Sequence, residues 1–123
     1  MLDEELTQAI IGACIEVHKH LGPGLLESAY QQCLCHELML RRIHFSREVD
    51  LPVIYKGMKL DCAYRMDIVV EGRVLLELKS IEKPVPIHEA QLISYLKLSG
   101  IRIGLLINFN VKLLTEGIIR RVV

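Results

Sequence analysis

Apolar residues recur every three or four positions along the first forty residues, which is the period of an amphipathic α-helix. One helix is predicted from about Asp3 to His20 and a second from about Leu25 to Arg42. The first apolar stripe comprises Leu6, Ile10, Ala13, Val17 and Leu21, and the second comprises Leu26, Tyr30, Leu34 and Leu38. The segment Gly22-Pro23-Gly24 is expected to end the first helix.

After His44 the apolar period changes to two, which indicates strands. Strands are predicted at Phe45–Tyr55, Lys59–Val70, Arg73–Ser80, Ile103–Phe109 and Ile118–Val123. Pro52 favours an edge position for the first strand, whereas the apolar run Val74–Leu76 favours a central position for the third.

A third helix is predicted at Ile87–Ser99, ended by Gly100. Its apolar positions are Ala90, Leu92, Ile93 and Leu96. The predicted order is therefore α-α-β-β-β-α-β-β. This order indicates an α/β fold with a central mixed sheet flanked by helices.

The composition is that of a folded protein. The chain has 123 residues, a mass of 14.0 kDa, 51% hydrophobic residues and a mean hydropathy of +0.33, so we expect one domain over residues 1–123. The longest stretch without a charged residue is the ten residues from Leu6 to Ile15, too short to cross a membrane. Fifteen basic residues balance fifteen acidic ones, which excludes a polycationic nucleic-acid binder but leaves room for a local basic patch.

The beginning of the sequence is acidic and lacks the features of a secretory signal, so a cytoplasmic location is expected. The four cysteines contain no C-x-x-C pair. They are interpreted as reduced, buried small hydrophobic residues.

The segment with the most chemical information is Asp67-x9-Glu77-Leu78-Lys79. Glu77 and Lys79 share one face of the third strand, and Asp67 lies on the preceding strand across the Glu71-Gly72 turn. A three-residue loop would place Asp67 opposite Glu77, whereas a two-residue turn would send Asp67 to the other face.

Two neighbouring carboxylates on a buried strand repel one another, so one must take a proton or a cation must lie between them. Mg²⁺ prefers carboxylate oxygens, and with Lys79 beside it the group would suit phosphodiester hydrolysis. The alternative is a solvated ladder of cross-strand ion pairs. The apolar run before Glu77 argues against that alternative.

Other polar side chains on helices are candidates for supporting roles. Glu27 is predicted to face inward and to hold a metal-bound water, or else to complement the helix dipole. His88, Gln91 and Tyr95 lie on one side of the third helix, where they would bind phosphate, fix a catalytic side chain or form an ordinary polar flank. His18 and His88 are also considered as metal ligands, although a lone histidine is more often a satisfied polar residue.

Several segments resemble the GxxExxY protein family. The signature itself is matched by Gly24-Leu25-Leu26-Glu27-Ser28-Ala29-Tyr30. Further matches are Tyr64–Asp67, Glu77–Lys79, His88–Leu92 and Gly104–Phe109. This family is grouped with the PD-(D/E)XK nuclease superfamily, although Met66 stands where the superfamily motif has proline.

The resemblance implies a restriction-endonuclease-like core. The expected catalytic residues are Asp67, Glu77, Lys79, Glu27 and Gln91, with the metal at Asp67, Glu77 and Leu78. The expected supporting residues are Tyr95, Tyr30, His88 and His18. Gln91 and Tyr95 resemble the Q-x-x-x-Y helix of nucleases that act on DNA ends.

The first functional hypothesis is a Mg²⁺- or Mn²⁺-dependent nuclease that hydrolyses phosphodiester bonds, above all in DNA. The second is an inactive nuclease-fold module that binds nucleic acid or a protein partner. An intact acid–acid–lysine set favours the first, whereas zero net charge and small size favour the second. A homodimer or a partner subunit would then add further contacts to the nucleic acid.

Overall fold

The structure is a computed structural model that describes residues 1–61 and 63–123, and its elements follow the predicted order with one added hairpin. The helices are α1 (Asp3–Leu21), α2 (Glu27–Leu40) and α3 (Pro86–Ser99), with a short 3-10 helix at Leu114–Gly117. The strands are β1 (Phe45–Leu51), β2 (Ile54–Tyr55), β3 (Met58–Lys59), β4 (Tyr64–Val70), β5 (Val74–Lys79), β6 (Ile103–Asn108) and β7 (Ile118–Val122).

Five strands form one sheet in the order β1-β4-β5-β6-β7. Strands β5 and β6 are parallel, and the other neighbours are antiparallel. The predicted mixed sheet is therefore confirmed, with β5 at its centre and β1 and β7 at its edges. The parallel pair requires a crossover, which α3 supplies.

The predicted strands Phe45–Tyr55 and Lys59–Val70 are each too long. Pairing of β1 with β4 stops at Leu51, immediately before Pro52, which has no N–H to donate. The chain then forms the separate β2–β3 hairpin, whose turn residues Lys56 and Gly57 both have positive φ angles. Cys62, which follows this hairpin, lies outside the described residues.

The sheet buries apolar side chains on both faces. Helices α1 and α2 cover one face, where the core includes Leu6, Ile10, Leu34, Leu76, Leu78 and Ile107. Helix α3 covers the other face with a smaller cluster that includes Met66, Leu75, Leu92, Tyr95, Leu96 and Leu106. Successive residues of β5 therefore alternate between two different environments.

Three burial predictions are wrong. Leu26 is 76% exposed because it precedes the first residue of α2 and so does not lie on the buried helix face. Ala90 is exposed, since the buried stripe of α3 is formed by Leu92, Tyr95 and Leu96 instead. Cys33 is exposed on α2, whereas Cys14 and Cys35 are buried as predicted.

Within the described part of the chain, no helix combines the length and the apolar character that crossing a bilayer requires.

Candidate active site

The β4–β5 hairpin decides whether the two candidate acids meet. Val70 pairs with Val74, so the loop has three residues, and Glu71 and Gly72 both take positive φ angles within it. Pairing continues to Ile68 opposite Leu76. The next positions in this register are Asp67 and Glu77. The three-residue alternative is therefore the one that the fold adopts.

At Asp67 and Glu77 the regular main-chain pairing of β4 with β5 ends. Hydrogen bonds from main-chain amides to side-chain carboxylates replace it. The amide of Asp67 donates a hydrogen bond to Oε2 of Glu77 at 2.8 Å. The amide of Leu78 donates to Oδ2 of Asp67, also at 2.8 Å. Each carboxylate thus holds the opposing strand with one oxygen. Within residues 1–61 and 63–123, the second oxygen of each has no hydrogen-bond partner and is not sealed from solvent.

Burial makes the ionised forms of Asp67 and Glu77 unfavourable. Glu77 is only 6% exposed, and its desolvation, together with the negative charge of Asp67, raises its pKa to about 8. Burial also raises the pKa of Asp67, although the hydrogen bond from Leu78 and the charge of Lys79 oppose that shift. Neither carboxylate forms a salt bridge with any described residue. This arrangement differs from a solvated ladder of ion pairs.

Lys79 lies at the end of β5, half-buried, and its positive charge lowers the pKa of both Asp67 and Glu77. The main chain around it is held firmly, because its carbonyl accepts the amide of Phe109 at 2.9 Å. Its neighbour on β6, Asn108, is 1% exposed and bonds the amide and the carbonyl of Ile81. Sequence reasoning missed Asn108, whose polarity at the end of an apolar strand was the available signal.

Glu27 is the first residue of α2 and remains exposed, so the prediction that it faces away from solvent is wrong. The first turn of α2 extends beyond the core, which explains why the Glu27 side chain is exposed. Its negative charge nevertheless contributes to raising the pKa of both Asp67 and Glu77, so it lies within electrostatic reach of them.

Gln31, one turn after Glu27 on the same helix, was not predicted. Its amide nitrogen donates to the carbonyl of Asp67 at 3.4 Å, and its amide oxygen accepts from Nε of Arg47 at 3.2 Å. It thereby connects α2 to the strand that carries the acid. The i, i+4 spacing from Glu27 was the signal that could have identified it.

The spacing of the G-x-x-E-x-x-Y segment has a structural explanation. Gly24 has a φ angle of +93°, which disfavours other residues. Tyr30, one turn into α2, is fully buried and stacks on Phe109 with ring centroids 4.4 Å apart. Its hydroxyl donates to the carbonyl of Gly22 at 2.6 Å and accepts the amide of Leu25 at 3.1 Å. Tyr30 therefore holds the loop that leads into Glu27.

On the face of the sheet that Leu75 and Glu77 share, α3 contributes Gln91 and Tyr95. The Gln91 amide donates to the Tyr95 hydroxyl at 3.1 Å, and Tyr95 is 8% exposed. Burial raises the pKa of Tyr95, and the nearby charge of Glu77 raises it further. The Q-x-x-x-Y pair is therefore held together by its own hydrogen bond, and its tyrosine lies within electrostatic reach of Glu77.

The two candidate histidines have other bonding partners. The Nε2 of His18 lies 2.7 Å from the carbonyl oxygen of Val111, and His18 is 8% exposed. The Nδ1 of His88 accepts the amide of Val85 at 3.2 Å, which satisfies a free N–H at the start of α3. Among the described residues, no group of three or more His, Cys, Asp and Glu side chains is arranged to hold a metal ion. These contacts therefore favour the structural interpretation of both histidines.

The two acids alone still suit a hard divalent cation. Mg²⁺ usually keeps several waters and takes only one or two carboxylates, so three protein side chains are not required. The free oxygens of Asp67 and Glu77 belong to carboxylates whose charges burial disfavours. A cation between them would remove that penalty. The residues present therefore fit such an ion.

A protein-family model described as the PD-(D/E)XK nuclease superfamily matches residues 4–122. Neither the curated proteins nor the solved structures searched contain a match to the chain. The matched region includes every strand of the sheet and, apart from Asp3 at the start of α1, all three helices. The restriction-endonuclease-like fold is therefore confirmed, and the chain belongs to the PD-(D/E)XK nuclease superfamily.

Proposed function

We propose that this member of the superfamily is a Mg²⁺- or Mn²⁺-dependent nuclease that hydrolyses phosphodiester bonds in DNA. The observation that carries the proposal is the opening between β4 and β5. There Asp67 and Glu77 each bond the opposing main chain with one oxygen and leave the other free. Because these second oxygens are open to solvent, they are available to a ligand that the protein does not itself supply.

In this proposal Asp67 and Glu77 hold the metal through their free oxygens, and the main chain at Leu78 completes the protein's share of the ligands. The bound ion would acidify a water and polarise a phosphate oxygen. The protein's own contribution is to hold both carboxylates in place before substrate arrives, through the two amide bonds at 2.8 Å.

Lys79, Glu27, Gln91 and Tyr95 have separate roles. Lys79 supplies a compact positive charge that orients the attacking water or stabilises negative charge developing on the phosphate. Glu27, exposed at the start of α2, accepts a hydrogen bond from that water. Gln91 and Tyr95 bind the phosphate or fix its position from the α3 side.

The proposal is tested by incubating labelled single-stranded, double-stranded and branched DNA with Mg²⁺, Mn²⁺ or EDTA. We expect cleavage only with metal, and a rate at least ~10²-fold lower in Glu77→Gln. The matched control is Glu82→Gln, since Glu82 is an exposed glutamate in the loop before α3. This control is expected to cleave like the wild type.

A second readout does not depend on cleavage. Metal at one hundred times its Kd should stabilise the folded wild type by roughly 2.7 kcal/mol, and Asp67→Asn should reduce this response. If wild type, Glu77→Gln and Glu82→Gln from identical preparations cleave equally, a contaminant is responsible. The inactive binding module would then be the better description.

A further inference from the structure

An apolar groove lies between the base of the β2–β3 hairpin and one side of α3. Ile87, Tyr95 and Leu98 line it from the helix, and Val53, Leu60 and Tyr64 line it from the opposite wall. Its volume is about 310 Å³, within the range of small-ligand pockets. Ile87 is 66% exposed and Leu98 is 48% exposed, so large apolar side chains face water here.

The groove lies on the same side of the sheet as the carboxylate site. Gln91 and Tyr95 line the groove, and Tyr95 packs in one cluster with Met66, which precedes Asp67, and Leu75, which lies on the same face of β5 as Glu77. Tyr64, on the opposite wall, contacts Tyr95 edge-on, with ring centroids 6.3 Å apart. A flat group lying in the groove would therefore meet aromatic rings close to the acids.

The hairpin whose base lines the groove carries two lysines and an exposed tyrosine. The segment from residue 53 to residue 60 contains two lysines and no acidic residue. Tyr55 and Met58 are more than half exposed, and the ammonium of Lys56 lies 5.4 Å from the centre of the Tyr55 ring. Exposed rings interleaved with positive charge are typical of surfaces that bind single-stranded nucleic acid.

We propose that this groove receives an unstacked base of a single-stranded nucleic acid while Lys56 and Lys59 contact its phosphates. The inference rests on the proposed function and names its substrate class. Duplex bases are stacked and present only their edges, so a base can enter the groove only from a single strand or a frayed end. An apolar wall suits the face of a base, and the lysines complement the charge of its backbone.

The test measures binding and not cleavage. All proteins carry Glu77→Gln, so the probes stay intact. The first probe is a fluorescein-labelled twelve-nucleotide oligothymidine, and the second is an abasic deoxyribose-phosphate strand of equal length. Fluorescence anisotropy gives the Kd of each. We expect the oligothymidine to bind ~10-fold or more tightly than the abasic strand, because only it has bases to stack.

The groove variant is Ile87→Ser with Leu98→Ser. The matched control is Met39→Ser with Leu40→Ser, which removes two similarly exposed apolar side chains, 57% and 63% exposed, from another helix. The groove variant is expected to bind both probes equally weakly, whereas the control should keep the preference for bases. Thermal melting establishes that each variant is folded.

Lys56→Ala and Lys59→Ala address the phosphate contacts. Each should weaken both probes alike and lower the slope of log Kd against log salt by about 1. An unchanged salt dependence would contradict the assignment of these lysines.

The inference is overturned if the oligothymidine and the abasic strand bind equally, if neither binds, or if the groove variant keeps the preference. Metal-dependent cleavage of duplex DNA by the unmodified chain together with any of these results would leave the nuclease proposal standing. If the chain shows the groove-dependent preference for bases but cleaves no DNA, the groove is a binding surface and the nuclease proposal fails.

Discussion

The two faces of β5 differ in chemistry although they are equally buried. Leu76 and Leu78 point to the α1–α2 side and are 0% and 2% exposed. Glu77, between them in sequence, is 6% exposed and points to the α3 side. A strand that is apolar on one face thus carries a carboxylate on the other. Burial alone therefore does not distinguish the part of the strand that stabilises the fold from the part suited to chemistry.

The helices follow the same division. On the α1–α2 side, apolar side chains form a continuous core, and even the tyrosine there, Tyr30, has its hydroxyl bonded. The α3 side has a smaller core, a carboxyl group with a pKa of about 8 and an open groove. The contrast indicates that packing on the α1–α2 face supplies stability that compensates for the less stable α3 face.

The largest expected effect tests this division directly. Leu76→Ala should lower the free energy of unfolding by roughly 2–5 kcal/mol, since it leaves a cavity in the larger core. Glu77→Gln in EDTA at pH 7 should raise stability, because the wild-type glutamate is ionised in the unfolded chain and must bind a proton on folding, whereas glutamine need not. Urea unfolding monitored by circular dichroism measures both. Equal losses in the two variants would mean that Glu77 is as structural as Leu76.

The second effect depends on pH. The pKa of Glu77 rises from 4.5 to about 8 on folding, so above pH 4.5 the unfolded chain releases a proton that the folded chain keeps. The metal-free protein should therefore lose stability as pH rises from about 4.5 to about 8, at up to about 1.4 kcal/mol per pH unit. Asp67, whose pKa is also raised, adds a change of the same sign.

Glu77→Gln should remove most of this slope, and a saturating divalent metal should flatten it in the wild type. The measurement is the melting temperature across this pH range in EDTA and in Mg²⁺. A wild type whose stability rises over the same interval would show that the carboxyl is charged in the folded state.

The third effect separates two residues on the same face of β5. Lys79→Ala should keep the metal-induced rise in melting temperature, since an ammonium cannot bind the ion, but should lose at least ~10²-fold in cleavage rate. Lys79→Arg should not restore the rate, because a planar guanidinium does not replace a compact charge. Loss of the metal response in Lys79→Ala, as complete as in Glu77→Ala, would make Lys79 a structural ion partner of the acids.

The smallest effect is expected at Tyr30. Tyr30→Phe keeps the stacking on Phe109 but removes the hydroxyl that bonds Gly22 and Leu25. Each lost bond contributes about 1 kcal/mol, so a loss of about 1–2 kcal/mol in stability is expected. Tyr55→Phe is the matched control, because Tyr55 is 59% exposed and its hydroxyl has no described partner. An equal loss in both variants would contradict the role of Tyr30 in holding the loop.

Local patterns predicted the elements well for identifiable reasons. The apolar stripe of α1 and the change to a period of two after His44 report directly which side chains can be buried together. The apolar run before Glu77 correctly predicted a central strand. Pro52 correctly predicted an edge strand, but the length of that strand was wrong. Where pairing stops depends on the partner strand, which a local pattern does not contain.

The candidate site was less predictable. The sequence offered Asp67 and Glu77 but left two hairpin geometries open, and the conformation of Glu71 and Gly72 chose between them. The helical wheel placed Glu27 inward, yet it is exposed, because a wheel does not show where a helix extends past the core. Gln31 was missed because its partner, the carbonyl of Asp67, is distant in sequence.

The sequence by itself therefore determined the three helices, the five strands of the main sheet apart from the ends of β1 and β4, which strands are central, and which residue types are available at the candidate site. Only the tertiary structure decided that the acids meet, that Tyr30 holds the loop before Glu27, and that an apolar groove adjoins Gln91 and Tyr95. The physical reason is the separation along the chain over which each effect acts. Periodicity and propensity act within a few residues, whereas burial, pKa and hydrogen bonding at this site depend on strands and helices brought together from distant parts of the chain.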